Sequence, residues 1–275
     1  MTERTGEELG ESPVDVLAGS FYLVGTLAFV LVSLVIGTRL VRLSLRTGER
    51  PELYLGLGIL GTAVFGYGIQ IVSVLVRGGP DGTNVTPLAV GLTAAGKLLH
   101  DAGVALVLFF VLTVFRKDDR RARVVFGMAV LVLWTGTLGL GFTTGYRDIF
   151  ERNLFWWLEY AVIWTYPLWG AYESLRYHGM MRKRQRLGLA DPLVANRFLL
   201  WALGSLGTFA ATWLASWPMV LPDPTVARGL ETFNYLATAA VGIATVTAYS
   251  LAFLPPAWYR RWIAGREPTG TPQAA

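Results

Sequence analysis

Seven long apolar runs constrain this 275-residue chain more than any other feature of its sequence. Each run is long enough to cross the roughly 30 Å hydrocarbon core of a bilayer as a helix of about 20 residues. The strands of a membrane barrel would alternate between apolar and polar residues, and these runs do not. We therefore predict an all-α integral membrane protein, a seven-transmembrane-helix bundle. The runs lie near residues 16–38, 54–76, 88–114, 124–143, 153–175, 197–217 and 231–254.

The composition fits this class, because charged residues make up only 16% of the chain against about 25% in soluble domains. The runs divide the chain into an extracytoplasmic N-terminal tail (1–15), the membrane bundle (16–254) and a cytoplasmic C-terminal tail (255–275). The N-terminal tail is acidic and lacks the basic segment of a signal peptide. We therefore expect the first run to remain as the first span.

The placement of Lys and Arg predicts the orientation of the bundle. Eighteen of the 24 lie in the connections after the first, third and fifth runs or in the C-terminal tail, and five lie on the other side. Cytoplasmic loops carry such an excess, so we predict an outside N-terminus and a cytoplasmic C-terminus. The bias also accounts for the net charge of +5. No nucleic-acid partner is predicted, and anionic lipid headgroups are the expected partners of the basic loops.

A polar stretch, GKLLHDAG, interrupts the third run and contains Lys97, His100 and Asp101. At 1.5 Å per residue, Lys97 lies roughly 14 Å inside the run, too deep to reach the interface easily. Lys97 and Asp101 are four residues apart and share a helix face, which His100 borders. Two interpretations remain open: a structural ion pair, or a ligand or ion site, since ionisable residues inside membranes commonly serve function.

Polar residues in other runs are candidates to complete a ligand site. They fall in the halves of their runs that we place towards the outside, whereas the inner half of the third run, VALVLFFVLTVF, is apolar. We therefore predict a polar pocket that is open outward above an apolar floor. The candidate ligand-binding residues are Lys97, His100, Asp101, Glu159, Tyr166, Gln70, Asn234 and Tyr235.

Several kinds of chemistry are disfavoured. The chain has no cysteine, which excludes disulfides and thiol chemistry, and it has only two histidines, fewer than a histidine-rich zinc site or a bis-histidine haem site inside the bundle would require. The seventh run lacks the lysine that a retinal pigment would need. We therefore predict no enzyme activity, no metal and no cofactor.

A short sequence echo suggests an internal repeat. Residues 57–62 read LGILGT and residues 203–208 read LGSLGT, an offset of 146. Adding the same offset to the residue numbers of the third run aligns it with the seventh. The first run aligns with the fifth only if the offset is changed by about nine residues. The pattern predicts a 3+1+3 parallel repeat, an arrangement found in transporters.

Two further stretches, RTGERPEL (46–53) and RLGLADPLVANRFLLW (186–201), resemble segments of uncharacterised bacterial seven-helix membrane proteins. The resemblance implies a bacterial inner-membrane protein and brings no activity or site residues with it. Independently of the resemblance, Asp191 before Pro192 is a good helix N-cap.

The connections between runs are too short to fold as an output domain, so we expect any signal to pass to a separate cytoplasmic partner. Our leading hypothesis is a receptor- or sensor-like protein that binds a small polar or charged ligand in the outward pocket. The alternative is a small-solute transporter, proton-coupled or not, and the repeat favours it.

Overall fold

The computed structural model describes residues 13–78, 85–148, 151–220 and 230–264. Within these ranges every regular element is a helix. The helices are α1 (Pro13–Thr47), α2 (Arg50–Ile59), a π-helical segment (Leu60–Tyr67), α3 (Gly68–Arg77), α4 (Pro87–Phe115), α5 (Arg120–Thr144), α6 (Leu154–Arg186), α7 (Pro192–Ser216) with a 3-10 turn (Trp217–Val220), α8 (Glu231–Phe253) and α9 (Ala257–Ala264).

Side-chain caps begin four of these helices. The Thr86 hydroxyl accepts a hydrogen bond from the backbone N–H of Ala89 at 3.2 Å, and Asp119 and Asn153 cap α5 and α6 in the same way. The predicted cap at Asp191 is confirmed, since its carboxylate accepts from the Leu193 N–H at 2.7 Å. Each cap satisfies a backbone donor that the helix itself leaves unpaired.

Within the described ranges, six helices are long and apolar enough to cross a membrane: α1, the continuous α2–α3 rod, α4, α5, α7 and α8. These confirm the prediction of an all-α membrane bundle. The fifth run also forms a helix, α6, which is 33 residues long. It is not among the six, because two buried glutamates and several tryptophans and tyrosines make it less apolar than the others.

The long helices pack in chain order around a closed ring. Each contacts the next, from α1 through α2–α3, α4, α5, α6 and α7 to α8, and α8 packs back against α1. The most enclosed span is α4, with 44% of its apolar window buried against 17–28% in the other five. The polar stretch of the third run therefore lies on the helix that is nearest the centre of the bundle.

Glycines allow α4 and the α2–α3 rod to approach closely at the π-helical segment. A Cβ atom added to Gly66 would lie 2.6 Å from the Cα of His100, and one added to Gly61 would lie 2.9 Å from the Cα of Gly103. Backbone contact of this kind is typical of membrane helices that pack through small residues. The π-helical segment thus faces the polar stretch, and such segments often occur at functional sites.

An apolar cluster fills the bundle around the C-terminal half of α4. Its buried members come from α1, α2 and α4, and partly buried aromatic residues from α6, α7 and α8 pack against it. The apolar stretch that the sequence predicts as the floor of a pocket lies in this cluster. The buried members are Ile36, Leu40, Leu55, Phe110, Val111 and Phe115.

The predicted tails are described only in part, since residues 1–12 and 265–275 lie outside the described ranges. Helix α1 begins at Pro13, three residues inside the predicted N-terminal tail. The predicted C-terminal tail contains α9, in which Tyr259 and Ile263 are buried while Trp258 and Trp262 are exposed. Exposed tryptophans on an amphipathic helix are typical of a membrane interface.

Candidate functional site

Lys97 and Glu159 form an ion pair between α4 and α6. The Lys97 Nζ lies 2.6 Å from Glu159 Oε1, and the two side chains are only 7% and 1% exposed. The Asn153 cap fixes the start of α6, which places Glu159 between one and two turns into the helix. The spacing in the sequence favoured Asp101 as the partner of Lys97, but the structure pairs Lys97 with a residue from a different helix.

Asp101 has its own partners. Its Oδ1 lies 2.8 Å from His100 Nδ1, and its Oδ2 accepts a short hydrogen bond from the hydroxyl of Thr137 on α5. The Thr137 hydroxyl is also 2.9 Å from the Leu133 carbonyl, but a charged carboxylate is the stronger acceptor. Both carboxylate oxygens of Asp101 are therefore satisfied, and the residue is fully buried.

Two buried polar atoms at this site lack a hydrogen-bond partner among the described residues. They are Glu159 Oε2 and Trp156 Nε1, which lie one turn apart on α6. Leaving a buried polar atom unpaired costs about 1–3 kcal/mol, and more for a charged group. An acceptor and a donor left open on one helix face are what a polar ligand or ordered water would satisfy.

An aromatic wall borders the ion pair. Lys97 Nζ lies 5.9 Å from the centre of the Tyr160 ring, within the range of a cation–π contact. The Tyr160 ring stacks on Trp156 at 4.1 Å, and Trp164 packs edge-on against both. The Trp164 indole donates to Ser216 Oγ at 2.9 Å, so this wall ties α6 to α7.

A chain of hydrogen bonds links Asp101 to the end of the bundle where α3 finishes and α4 begins. The Tyr146 hydroxyl donates to the carbonyl of Thr137 at 3.0 Å. Arg77 in turn donates to the backbone carbonyls of Tyr146 and Arg147 and to the hydroxyl of Thr93. Tyr146 adopts a left-handed φ of 57°, which is uncommon for a residue with a side chain.

The other four predicted residues surround this cluster or lie apart from it. Gln70 packs against Gly96, directly beside Lys97. Tyr166 packs against the apolar cluster of Val104, Leu108, Leu133, Val162 and Ile163 rather than against the charges.

The two predicted residues of α8 lie on the α1 side of the bundle. Asn234 is buried, and its Oδ1 has no partner among the described residues. Tyr235 donates to Glu231 at 2.5 Å and contacts Tyr22, whose hydroxyl is 3.1 Å from that of Tyr67.

Sequence reasoning missed several members of the network. Thr137 is one of three threonines in the fourth run, and nothing in the sequence separates it from the other two. The structure shows that the neighbouring Gly136 brings α5 close to α6, since a Cβ there would lie 2.6 Å from the Glu159 backbone nitrogen. Tyr160 and Tyr146 carry no pattern that separates them from interfacial aromatics. Among the described residues, no three His, Asp or Glu side chains lie close enough to hold a metal ion.

A second buried carboxylate lies further along α6. Glu173 is 1% exposed and contacts two arginines, Arg116 Nε at 2.7 Å and Arg176 at 3.2 Å. The hydrogen bond to Glu173 raises the pKa of Arg116 above its ordinary value. The neighbouring Asp119 caps α5, and the N–H groups of Ala122 and Arg121 lower the pKa of its carboxyl. Every charge in this group thus has a partner.

Comparison with protein-family models, with curated proteins and with solved structures finds no match to this chain.

Proposed function

We propose that this chain is a receptor- or sensor-like membrane protein that binds a small polar or charged ligand beside the Lys97–Glu159 ion pair. The observation that carries the proposal is unmet hydrogen-bonding capacity at the site: Glu159 Oε2 and Trp156 Nε1 are buried, and neither has a partner in the part of the chain that the structure describes. In a purely structural ion pair we would expect these atoms to be satisfied, as those of Asp101 are. Ionisable groups at this depth in a membrane are costly and are commonly retained for function.

The proposal includes a topology. Helix α6 completes seven spans, with the N-terminus outside and the C-terminus in the cytoplasm of a bacterial inner membrane. In this orientation the ion pair lies in the outer half of the bundle and the apolar floor lies below it. Ligand would enter from the outside, and any signal would reach a separate partner through the cytoplasmic loops.

Basic residues at the cytoplasmic ends of the helices are proposed to contact anionic lipid headgroups. A shallow groove along the end of α1 supports this, because three arginines line it together with apolar residues. The arginines are Arg39, Arg42 and Arg46, and the apolar residues include Leu34, Val35 and Leu43.

The apolar floor favours a sensor over a transporter. Side chains from six of the seven long helices contribute to it, and it surrounds the C-terminal half of α4 below the ion pair. A transporter would have to open this floor in each cycle, whereas a sensor needs only to shift its helices when ligand binds.

A small-solute transporter is the second candidate, because helix contacts repeat at the offset that the sequence echo predicts. Gly58 and Gly61 of the α2–α3 rod approach α4, and Gly204 and Gly207, 146 residues later, approach α8. A Cβ on Gly58 would lie nearest Val107 and also 3.2 Å from the Gly103 carbonyl, and one on Gly61 would lie nearest Gly103 and also 3.1 Å from the Leu99 carbonyl. In the second half the neighbours are Tyr249 and Thr245, the positions equivalent to Gly103 and Leu99. These shared pairs support a duplicated helix pair, as in transporters with parallel repeats.

Native mass spectrometry of the purified protein tests the main proposal. We expect a small molecule to co-purify with the wild type and to be lost from Lys97→Met. A Glu173→Gln variant, altered at the fully paired carboxylate of the same helix, should keep it. If the wild type shows only the mass of the protein itself, and Lys97→Met differs only in being less stable, then the ion pair has a structural role. Gradient-driven solute uptake by vesicles would instead identify the transporter.

A further inference from the structure

We propose that the ligand of this site is a small uncharged polyhydroxy compound, a sugar or a polyol, held between α6, the end of α7 and the start of α8. The inference rests on the proposed function and deepens it, because it names the chemical class of the ligand and two further helices that contact it.

Buried polar atoms without a hydrogen-bond partner concentrate at one end of the bundle. There are seven among the described residues, and five of them lie where α6 begins, α7 ends and α8 begins. These helices pack consecutively, α6 on α7 and α7 on α8. Native proteins leave few such atoms unpaired, so the group indicates a ligand that reaches all three helices. The five atoms are Trp156 Nε1, Glu159 Oε2, Trp217 Nε1, Asn234 Oδ1 and Thr238 Oγ1.

Direct contacts join the α6 and α7 members of this group. Trp156 packs edge-on against Trp164, with the ring centres 6.1 Å apart. The Trp164 indole donates to Ser216 Oγ at 2.9 Å, and Trp217 is the next residue along the chain. The unpaired atoms of α6 and of the end of α7 therefore belong to one connected set of side chains.

The α8 members share one helix face, which is turned towards α7. Asn234 and Thr238 are one turn apart, and Thr245 follows on the same face, where a Cβ added to Gly207 of α7 would meet its side chain. Thr245 donates its hydroxyl to the Val241 carbonyl at 2.7 Å, as buried threonines in helices often do. Thr238 has no such bond among the described residues, so its hydroxyl is available to a ligand.

The unpaired atoms include both donors and acceptors. The indole N–H groups of Trp156 and Trp217 only donate, the amide oxygen of Asn234 accepts, and the hydroxyl of Thr238 does both. A hydroxyl group on the ligand can pair with each of these. Because a hydroxyl can donate to a carboxylate and accept from a carboxylic acid, it also suits Glu159 in either protonation state.

The surroundings favour a ligand without charge. Four of the five atoms belong to side chains that are neutral at ordinary pH, and Glu159 already contacts the ammonium of Lys97 at 2.6 Å. A buried charge on the ligand would be costly without an opposite charge beside it. The aromatic wall of Trp156, Tyr160 and Trp164 offers an apolar surface to the C–H groups of a sugar, and ligand pockets commonly combine aromatic surface with a few polar groups.

Variants of two threonines on α8 test the contact. Thr238→Val removes an unpaired hydroxyl, so the ligand-free protein should lose no stability in an unfolding titration. Its affinity for the ligand should fall about threefold to tenfold, the effect of one lost hydrogen bond. Thr245→Val is the matched control, because it removes a hydroxyl that is paired within α8, and it should leave the affinity unchanged. Trp156→Phe, which keeps a ring but loses the N–H, should behave like Thr238→Val.

Four probes with six-carbon hydroxylated chains measure the ligand class. D-glucose and sorbitol are uncharged, gluconate is an anion and N-methylglucamine is a cation. Calorimetric titration of the full chain in nanodiscs, after extensive dialysis, gives their affinities. We expect glucose or sorbitol to bind saturably and at least tenfold more tightly than either charged probe, and less tightly to Thr238→Val. Tighter binding of a charged probe, no binding of either neutral probe, or an unchanged affinity in Thr238→Val would overturn the proposal.

Native mass spectrometry separates this proposal from the proposed function. A co-purifying molecule with a carboxylate, phosphate or amine group would support the ligand site and overturn the polyhydroxy assignment. No co-purifying molecule and no binding of any of the four probes would reject the ligand site itself. A neutral polyhydroxy molecule that is lost from Lys97→Met but fully retained by Thr238→Val and Trp156→Phe would overturn the contacts proposed for α6 and α8.

Discussion

Helix α6 carries two glutamates that are equally buried but have different partners. Glu159 and Glu173 are both 1% exposed. Glu173 has an arginine on each of its oxygens, whereas Glu159 has Lys97 on Oε1 and, among the described residues, no partner on Oε2. Burial of a carboxylate therefore does not by itself mark a functional site. Glu159 differs from Glu173 in having a carboxylate oxygen whose hydrogen-bonding capacity is unused.

Access to water separates the two sites as well. The arginines of Glu173 are 26% and 43% exposed, so they can be hydrated if the carboxylate is lost. Lys97 is 7% exposed and cannot be hydrated without opening the bundle. Substitutions at the Glu159 site should therefore change the free energy of unfolding more than substitutions at the Glu173 site.

The largest effect is expected for Lys97→Met. This change leaves Glu159 and Asp101 as two buried carboxylates without a lysine, at a cost of about 3 kcal/mol. Unfolding in a denaturing detergent titration measures it. Lys97→Met/Glu159→Gln, which removes both charges, should recover most of the stability without restoring ligand. If the double variant is no more stable than the single one, the pair is not the origin of the loss.

Thr137→Val should cost less, about 2 kcal/mol, because the buried carboxylate of Asp101 loses one of its two donors. Thr137→Ser keeps the hydroxyl and serves as the matched control. The same unfolding titration compares the two. Equal losses in both variants would show that the methyl group, rather than the hydrogen bond, is what matters.

Glu173→Gln should cost about 1 kcal/mol, because the released arginines remain partly hydrated. The loss should be smaller than that of Lys97→Met, and the co-purifying molecule should be kept. A loss of stability as large as that of Lys97→Met would mean that Glu159 and Glu173 contribute equally to folding, and that the unpaired oxygen does not distinguish them.

The smallest change in stability is expected for Asp101→Asn, under about 1 kcal/mol, because the amide can still accept from Thr137. Its functional effect should be large by comparison, with ligand response or transport weakened tenfold or more. A dose–response or vesicle-uptake assay at matched expression measures it. Wild-type activity in this variant would remove Asp101 from the site.

Part of the site could be predicted from single residues. Lys97, His100 and Asp101 stand out because charge is rare in apolar runs, and Glu159 stands out for the same reason. Their pairing could not be predicted. Lys97 and Asp101 share a helix face, yet Lys97 contacts a residue 62 positions away and Asp101 contacts Thr137 on α5. Tyr166, predicted in the pocket, packs with apolar side chains instead.

Local sequence determined where the helices of this protein form and where several of them begin, because apolar length and N-cap chemistry act within one segment of chain. It also determined that an apolar floor fills the C-terminal half of α4. Only the tertiary structure decided which charged side chains pair with each other, because the rotation of each helix about its axis depends on side chains from the neighbouring helices. Glycines such as Gly66 and Gly136 allow the close approaches that bring these helices together.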